Sequence, residues 1–317
     1  MRLIFLLAST AWGQPPPDKQ DLLTELAKRH NDFIVQGEVT SEHPAVGALV
    51  AVNGTEMYFY CSANLIHPKW VLSAAHCQEL TQEISNTGYN TYFVTGNAIE
   101  DYNEKKAIVY HKRHPEYSET PYITHDLAVL QLESVITSVD PLVRNTVSPD
   151  ENLWTDIKFV GWGVTGDEQL DDGVKRHTTI PYDGHDESYL YAHDPNGNNI
   201  CFGDSGGAAL IQNNDRQWLL VGVNSFVYDP QGGDPTCIGG AAAAVRVDAY
   251  KTWIDNQLTT ADGGAAPGNQ NTSNPKPLTD EEASGCSQAP HLLSWSVTWC
   301  AAGLLVGRRR NPPKYRN

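Results

Sequence analysis

Hydrophobic and polar positions follow one repeated pattern between residues 34 and 247. Short apolar runs, rich in β-branched and aromatic residues, are separated by clusters of Gly, Asn, Asp and Pro. Runs of this length with polar breaks predict β-strands joined by turns. The clearest runs are residues 48–52, 70–72, 107–110, 127–132 and 218–223. Many short strands favour a β-barrel or a β-sandwich, and closure into a barrel would remove exposed strand edges.

The segments on either side of this region have a different pattern. Residues 1–13 carry an early arginine, an apolar run and then small residues, which predicts a secretory signal peptide. Residues 14–33 begin with a proline cluster and continue with leucines on one face of a short helix, and we interpret them as a propeptide. Residues 260–285 are rich in Gly, Pro and Asn without aromatic residues, which predicts a flexible linker. The folded domain is therefore predicted at residues 34–259.

The C-terminal stretch, residues 286–317, begins with a cysteine. Residues 287–307 contain no Lys, Arg, Asp or Glu, and an arginine cluster follows directly. This length without charge predicts a single transmembrane helix, and the arginines predict its cytoplasmic end, which places the folded domain outside the cell. The order of cysteine, apolar stretch and arginines is also similar to bacterial surface-sorting tags of the myxobacterial type. Three interpretations stay open: a sorting tag, a membrane anchor, and an amphipathic helix without a targeting role.

Composition and charge narrow the classes of function. The chain has 317 residues and a formal net charge of −16. Nucleic acid is not an expected partner, because phosphate binding requires a basic surface. Four of the six cysteines fall within residues 34–259, at spacings typical of disulfides, which indicates an oxidising compartment. Together with the tail, these features predict a secreted or cell-surface, envelope-associated bacterial protein.

Candidate chemistry lies in two short motifs, Ala74-Ala75-His76-Cys77 and Gly203-Asp204-Ser205-Gly206-Gly207. A serine hydroxyl is a poor nucleophile unless a base removes its proton and donors hold the oxyanion that forms. His76 can be that base, and Asp126 can orient it. The second motif also fits the pattern of α/β-hydrolases, in which the histidine follows the serine. The only later histidine, His291, lies in the apolar tail, so the usable order is His, Asp, Ser.

This order and several further motifs resemble those of the chymotrypsin-like serine peptidases over about residues 34–258. The further motifs are Ile34-Val35-Gln36-Gly37, Cys61, Gly161-Trp162-Gly163, Cys201, Ser225-Phe226, Cys237 and the stretch from Asp248 to Leu258. The resemblance implies an all-β fold of two six-stranded Greek-key β-barrels with a short C-terminal helix. It also implies a serine endopeptidase that acts on proteins or peptides and needs no cofactor.

The resemblance assigns roles to the matching residues. Ser205 would attack the scissile carbonyl, His76 would carry the proton, and Asp126 would orient His76. The backbone N–H groups of Gly203 and Ser205 would form the oxyanion hole. The family pattern implies two disulfides, Cys61–Cys77 and Cys201–Cys237.

Activation is also implied by the resemblance. A new N-terminal amine at Ile34 would fold inward and pair with Asp204, so the chain would be a zymogen. A buried ion pair of this kind is tolerated only when both partners are present. The chain departs from the family pattern at Phe33, where relatives carry Arg or Lys, and at Gln36, where they carry Gly. The activating peptidase is therefore not expected to be trypsin-like.

Substrate preference depends on four residues that the resemblance places at the binding cleft. Asn199 would form the floor of the primary specificity pocket, and Val227 would narrow one wall. Ser225 and Phe226 would pair with the substrate backbone. A neutral, narrowed pocket predicts cleavage after small or medium apolar residues. A preference for basic residues stays open because Asp229 and Asp234 lie near this region in the sequence.

The other histidines have simpler interpretations. Strand alternation points His125 away from Asp126, which favours a packing or surface role. The spacings of His67, His111 and His114 match no zinc pattern, so no metal site is predicted. A second function class stays open as well: a catalytically silent binding or adhesin module on the same fold.

Overall fold

The chain folds mainly into antiparallel strands. The computed structural model describes residues 37–150, 154–165 and 171–262. The predicted signal peptide, propeptide and C-terminal tail lie outside these residues, as does most of the predicted linker. Ile34 also lies outside them.

Six strands form a first closed barrel in the order β2-β3-β4-β7-β6-β5. Strands β2 and β3 form a hairpin, and its two-residue tip consists of Gly54 and Thr55, the former with φ of +62°. A glycine fits this turn because its backbone is left-handed there. The strand bounds are β2 (Val46–Asn53), β3 (Glu56–His67), β4 (Trp70–Ser73), β5 (Asn90–Ala98), β6 (Asp101–Arg113) and β7 (Ala128–Leu132).

A second six-stranded barrel follows. Its strands pair in the order β10-β11-β14-β13-β12-β9, and the pairing of β9 with β10 closes it. The bounds are β9 (Asp156–Gly161), β10 (Arg176–His185), β11 (Tyr189–Ala192), β12 (Ala208–Gln212), β13 (Trp218–Tyr228) and β14 (Ala241–Arg246). Two short strands lie on its outside: β1 (Glu38–Val39) pairs with β10, and β8 (Val143–Arg144) runs parallel to β13. The expectation of two six-stranded barrels is confirmed.

Two helices accompany the barrels in the described part of the chain, α1 (Ala75–Asn86) and α2 (Lys251–Asp262). The sequence interpretation did not predict α1, although Cys77, Leu80 and Ile84 are buried at helical spacing. Helix α2 corresponds to the predicted closing helix, but it begins at Lys251 and continues past residue 259.

The hydrophobic core spans both barrels. One cluster joins Leu72, Leu127 and Val129 of the first barrel to Val160 and Leu210 of the second. Residues of β4 and β7 thus present apolar side chains to the other barrel, and the two barrels share one continuous part of the core.

The prediction of a transmembrane helix requires correction. Among residues 37–150, 154–165 and 171–262, no helix is long and apolar enough to cross a membrane. Residues 287–307, from which that helix was predicted, lie outside this range.

Candidate active site

His76 lies where β4 of the first barrel passes into α1. Ala74 and Ala75 are fully buried, so the chain enters the helix from the barrel wall with His76 at its first turn. The His76 side chain is only 11% exposed. The disulfide between Cys61 of β3 and Cys77 ties this turn back to the barrel. The imidazole therefore has a fixed position at the cleft.

Asp126 lies directly behind His76 and is fully buried. Its Oδ1 accepts the backbone N–H of His76 at 3.0 Å, and its Oδ2 is 2.9 Å from His76 Nδ1. Oδ2 also accepts the hydroxyl of Ser225 at 2.5 Å. Burial alone would raise the pKa of Asp126, but the charge of His76 and these hydrogen bonds outweigh it and hold the pKa below its usual value. The carboxylate is therefore ionised and fixes the imidazole.

Ser205 comes from the second barrel, in the loop before β12. Its backbone carbonyl accepts the N–H of Ser62 at 2.9 Å and lies 3.6 Å from the sulfur of Cys77, beside His76. Gly206 makes this approach possible: a Cβ there would lie 2.1 Å from Ser73 Oγ, and its φ is +80°. The Ser205 hydroxyl forms no hydrogen bond among the described residues. Catalytic hydrogen bonds are often loose until substrate binds.

The loop that carries Ser205 also contains two candidate backbone donors. The N–H groups of Gly203 and Ser205 form no hydrogen bond within the described ranges, whereas those of Asp204, Gly206 and Gly207 are all paired. Gly203 has φ of +90°, a conformation that suits glycine. Unpaired N–H groups beside a serine are the elements of an oxyanion hole.

Asp204 is fully buried beneath this loop. Its Oδ1 accepts the N–H of Gly163 at 3.0 Å, and its Oδ2 accepts that of Cys201 at 2.9 Å. A Cβ at Gly161 would lie 2.1 Å from Oδ1, so the glycine leaves room for the carboxylate. The predicted partner of Asp204, the amine of Ile34, lies outside the described residues, so this pairing stays a prediction.

The second disulfide, Cys201–Cys237, supports the predicted specificity pocket. Asn199 is fully buried beside it. The Asn199 Nδ2 donates to the carbonyl of Cys237 at 3.1 Å, and its Oδ1 accepts the N–H of Ile200 at 2.9 Å. The Asn199 side chain is therefore neutral and already hydrogen-bonded to backbone.

One wall of this region is formed by paired strands. Val227 on β13 lies opposite Ala242 on β14, and both belong to one apolar cluster with Ile200. Asp229 is one of the two acidic residues that kept a preference for basic substrate residues open. It accepts the N–H groups of Gln231 and Gly233 in its own turn. Asp234 is exposed.

An aromatic group beside the cleft was missed by the sequence interpretation. The ring of Phe226 lies 5.2 Å from that of Tyr189, and Tyr191 lies 5.7 Å from Tyr228. Tyr189 also donates its hydroxyl to the carbonyl of Ile123 in the first barrel at 3.2 Å. The alternation of aromatic residues in 189–191 and 226–228 was the available signal, since it places them on one face of each strand.

Two groups of residues have the composition of metal ligands within the described ranges. Cys61, His76 and Cys77 form the first, but both of these sulfurs are in a disulfide. His114, Glu116 and His125 form the second, and His125 directly precedes Asp126 in the chain.

Two barrels with a buried Asp–His pair and a glycine-flanked serine at their cleft define the chymotrypsin-like class of serine peptidases. Comparison with known proteins gives the same result. The trypsin family model matches residues 34–254, and the chain belongs to this family.

Alignments with similar proteins cover most of the chain. The chain is 28% identical to a trypsin of Simulium vittatum over 62% of this chain and 83% of that protein. It is also 28% identical to a trypsin of Tyrophagus putrescentiae over 80% of this chain and 90% of that protein. Among solved structures, mouse neuropsin has a similar fold, with a TM-score of 0.56 and 20% identity over 71% of this chain and all of that one.

Proposed function

We propose that this chain is a secreted serine endopeptidase, made as a zymogen, that cleaves proteins or peptides with His76, Asp126 and Ser205. Ser205 attacks the substrate carbonyl while His76 takes its proton. His76 then gives the proton to the leaving amine, and Asp126 stabilises the imidazolium. The N–H groups of Gly203 and Ser205 receive the oxyanion.

One observation carries this proposal. A fully buried carboxylate accepts three hydrogen bonds, two from His76 and one from Ser225, directly beside the loop of Ser205. Burying a charge costs free energy that hydrogen bonds only partly offset, so a buried carboxylate of this kind is typical of a functional site. A silent binding module on the same fold would have no need for it, and that alternative is not favoured.

Covalent labelling tests the proposal. A fluorophosphonate probe should label the processed protein, and peptide mapping should place the label on Ser205. Ser205→Ala should abolish labelling and lower kcat by about 10⁶-fold. Ser85→Ala, which changes a partly exposed hydroxyl on α1, is the matched control and should behave as wild type. A residual rate in Ser205→Ala above about one part in 10³ of wild type would rule out this nucleophile.

We further propose that a free amine at Ile34 is required for activity, and that a separate peptidase supplies it. Support comes from Asp204, a fully buried carboxylate beneath the oxyanion loop. The test compares proteins that begin at Ile34 with proteins that carry one additional residue before it. The extended form should be nearly inactive, and full activity in that form would refute the requirement.

We propose a preference for small and medium apolar residues before the cleaved bond. The neutral amide of Asn199 offers no charge to a buried Lys or Arg. Val227, the strand partner of Ala242, narrows the pocket. The hydrogen bonds of Asp229 to its own turn support this choice over a basic preference. A peptide library varied at this position should rank Ala and Val ahead of Phe, Lys and Arg. A tenfold lead for Lys or Arg would overturn the assignment.

Secretion is the remaining part of the proposal. The two disulfides are consistent with an oxidising compartment, as is membership of a family whose members are generally secreted. Sequencing the N-terminus of the protein from culture medium would locate both predicted processing sites.

A further inference from the structure

Two imidazoles and a carboxylate meet behind the catalytic aspartate. His114, Glu116 and His125 each bring one potential ligand atom to within 4.8 Å of the others. They come from the two ends of the loop between β6 and β7, and the N–H of His114 donates to the carbonyl of Leu127 at 2.8 Å to close that loop. Neither the triad nor the proposed specificity pocket uses these three side chains.

The two rings have aromatic and polar neighbours. The rings of His114 and His125 stack with centroids 4.9 Å apart and planes 11° apart. The hydroxyl of Tyr250, just before α2, is 2.9 Å from His125 Nδ1. Trp253 of α2 lies 5.1 Å from His114, ring to ring. A partner on one ring nitrogen fixes the orientation of an imidazole and leaves the other nitrogen for a ligand.

The donor set favours a transition-metal ion. Imidazole nitrogens and a carboxylate are ligands of Zn²⁺, whereas Ca²⁺ and Mg²⁺ prefer oxygen ligands only. Three protein ligands and a water complete the usual tetrahedral geometry. Because ligand–zinc distances are about 2 Å, the three donor atoms must move closer together than 4.8 Å. Nearly parallel rings cannot both point at one ion, so one ring must rotate on binding.

A movement of His125 can reach the active site through the backbone, because His125 is bonded directly to Asp126. His125 directly precedes Asp126 and has φ of +51°, a left-handed conformation that is uncommon for a residue with a side chain. Asp126 itself is fixed by hydrogen bonds of 2.5 to 3.0 Å to His76 and Ser225. A shift of the backbone at His125 would therefore disturb the carboxylate that orients His76.

We propose that His114, Glu116 and His125 form a binding site for a divalent transition-metal ion, with Zn²⁺ as the preferred ion, and that its binding lowers peptidase activity by displacing Asp126. The binding claim goes beyond the proposed peptidase function and does not depend on it. The inhibition claim rests on that function.

Metal binding is tested in the Ser205→Ala protein, so that autolysis and catalysis play no part. Equilibrium dialysis of the metal-free protein against Zn²⁺ should give one bound ion, and Mg²⁺ at the same concentration should not bind. His114→Asn and His125→Asn, each in the same background, should weaken Zn²⁺ binding at least tenfold. Glu116→Gln should weaken it less, because it keeps both imidazoles.

His67 offers a matched control. It begins a His-Pro-Lys segment in which its Nδ1 accepts the backbone N–H of Lys69 at 3.3 Å, as Nδ1 of His114 accepts that of Glu116 at 3.3 Å. His67→Asn should leave Zn²⁺ binding unchanged. The site is wrong if His114→Asn and His125→Asn also leave binding unchanged, or if only His76→Asn removes it. Glu116→Gln keeps the test decisive if a histidine variant fails to fold.

Inhibition is tested on the active enzyme. Zn²⁺ should lower kcat more than it changes KM, because Asp126 acts on the transition state, and a chelator should restore the rate. His114→Asn should be less sensitive to Zn²⁺ by at least tenfold. Zn²⁺ binding without any change in kcat would overturn the coupling to Asp126. An inactive wild-type enzyme would instead count against the proposed function, and the dialysis result would still decide the site.

Discussion

The two barrels contain the same number of strands but build their walls from different side chains. In the first barrel, β4 and β7 pair large aliphatic residues, with Leu72 opposite Val129 and Val71 opposite Leu130. In the second barrel, β14 carries alanine at every position from 241 to 244, all fully buried. The side chains of β14 are therefore small, whereas those of β4 and β7 are large.

The small side chains of β14 let side chains of its two neighbouring strands come into contact. Strands β11 and β13 flank β14, which would separate them by roughly 10 Å. Because Ala241 and Ala243 fill little of that space, Tyr191 and Tyr228 come within 5.7 Å, ring to ring. On the opposite face of the sheet, Ala242 pairs with Val227, which we place at the proposed specificity pocket. The comparison teaches that the first barrel, with its larger side chains, holds the His–Asp pair, while the small side chains of the second leave space for an aromatic surface.

Among the changes that test this comparison of the barrels, the largest effect should come from breaking the link between them at Asp126. Asp126→Asn keeps the size of the side chain but removes the charge that stabilises His76. Loss of that charge in a serine peptidase triad lowers kcat by about 10⁴-fold. Ser225→Ala, which removes only the hydrogen bond from the second barrel, should cost much less. Steady-state kinetics on a peptide substrate gives both values, and a loss under tenfold for Asp126→Asn would contradict the assigned role.

The two disulfides should separate the roles of the barrels. Each closes a loop, with sequence separations of 16 for Cys61–Cys77 and 36 for Cys201–Cys237. Chain entropy predicts losses of about 3 and about 4 kcal/mol in the free energy of unfolding when each pair is replaced by serine. Replacing Cys61–Cys77 should lower kcat, while replacing Cys201–Cys237 should alter substrate preference through Asn199. Urea unfolding and specificity constants measure these effects, and identical kinetic changes in both variants would argue against distinct roles.

The pocket wall of the second barrel should control selectivity by a smaller amount. Val227→Gly removes the side chain opposite Ala242 and should improve kcat/KM for Phe relative to Ala by about 10- to 100-fold. Val147→Ala, at a side chain that is 66% exposed, is the control and should leave that ratio unchanged. A ratio for Val227→Gly within twofold of wild type would show that Val227 does not face the substrate.

The smallest effect concerns a buried lysine just before β10. Lys175 is fully buried, the His43 carbonyl at 3.5 Å is the one hydrogen-bond acceptor of its amine among the described residues, and burial lowers its pKa to about 8. The unfolded chain, with a lysine pKa of about 10.4, binds more protons between these two values, so the free energy of unfolding should rise with pH there. Lys175→Met should stabilise the protein at pH 7 by on the order of 1 kcal/mol and flatten that rise.

Chemical denaturation at pH 7, 8 and 9.5 tests this last prediction. Comparing wild type with Lys175→Met at each pH cancels the contributions of other titrating groups. Lys105→Met, at a partly exposed lysine of the first barrel, should leave the pH dependence as in wild type. A difference between wild type and Lys175→Met that is constant with pH would contradict a shifted pKa for Lys175.

Predictability differed between local and long-range features. The strands at 48–52, 70–72 and 127–132 were predicted because each is a short, strongly apolar run. Helix α1 was missed because its polar residues hide the buried positions Leu80 and Ile84. The predicted alternation at His125 assumed a strand, but β7 begins only at Ala128.

The sequence by itself determined which chemistry is available. The order of His76, Asp126 and Ser205 excluded the α/β-hydrolase alternative, and the resemblance to the chymotrypsin-like peptidases implied both disulfides. These features are local in sequence or depend only on the order of residues along the chain, so the sequence alone is enough to recognise them.

Only the tertiary structure decided which groups share a site. His114 and His125 are separated by a loop, and Tyr250 comes from beyond the second barrel, yet their rings lie together behind Asp126. The hydrogen bond from Asn199 to the Cys237 carbonyl and the turn contacts of Asp229 were likewise fixed by a backbone partner distant in sequence or by turn geometry. Such contacts depend on how strands pair and barrels pack, which the local pattern of hydrophobic and polar residues does not specify.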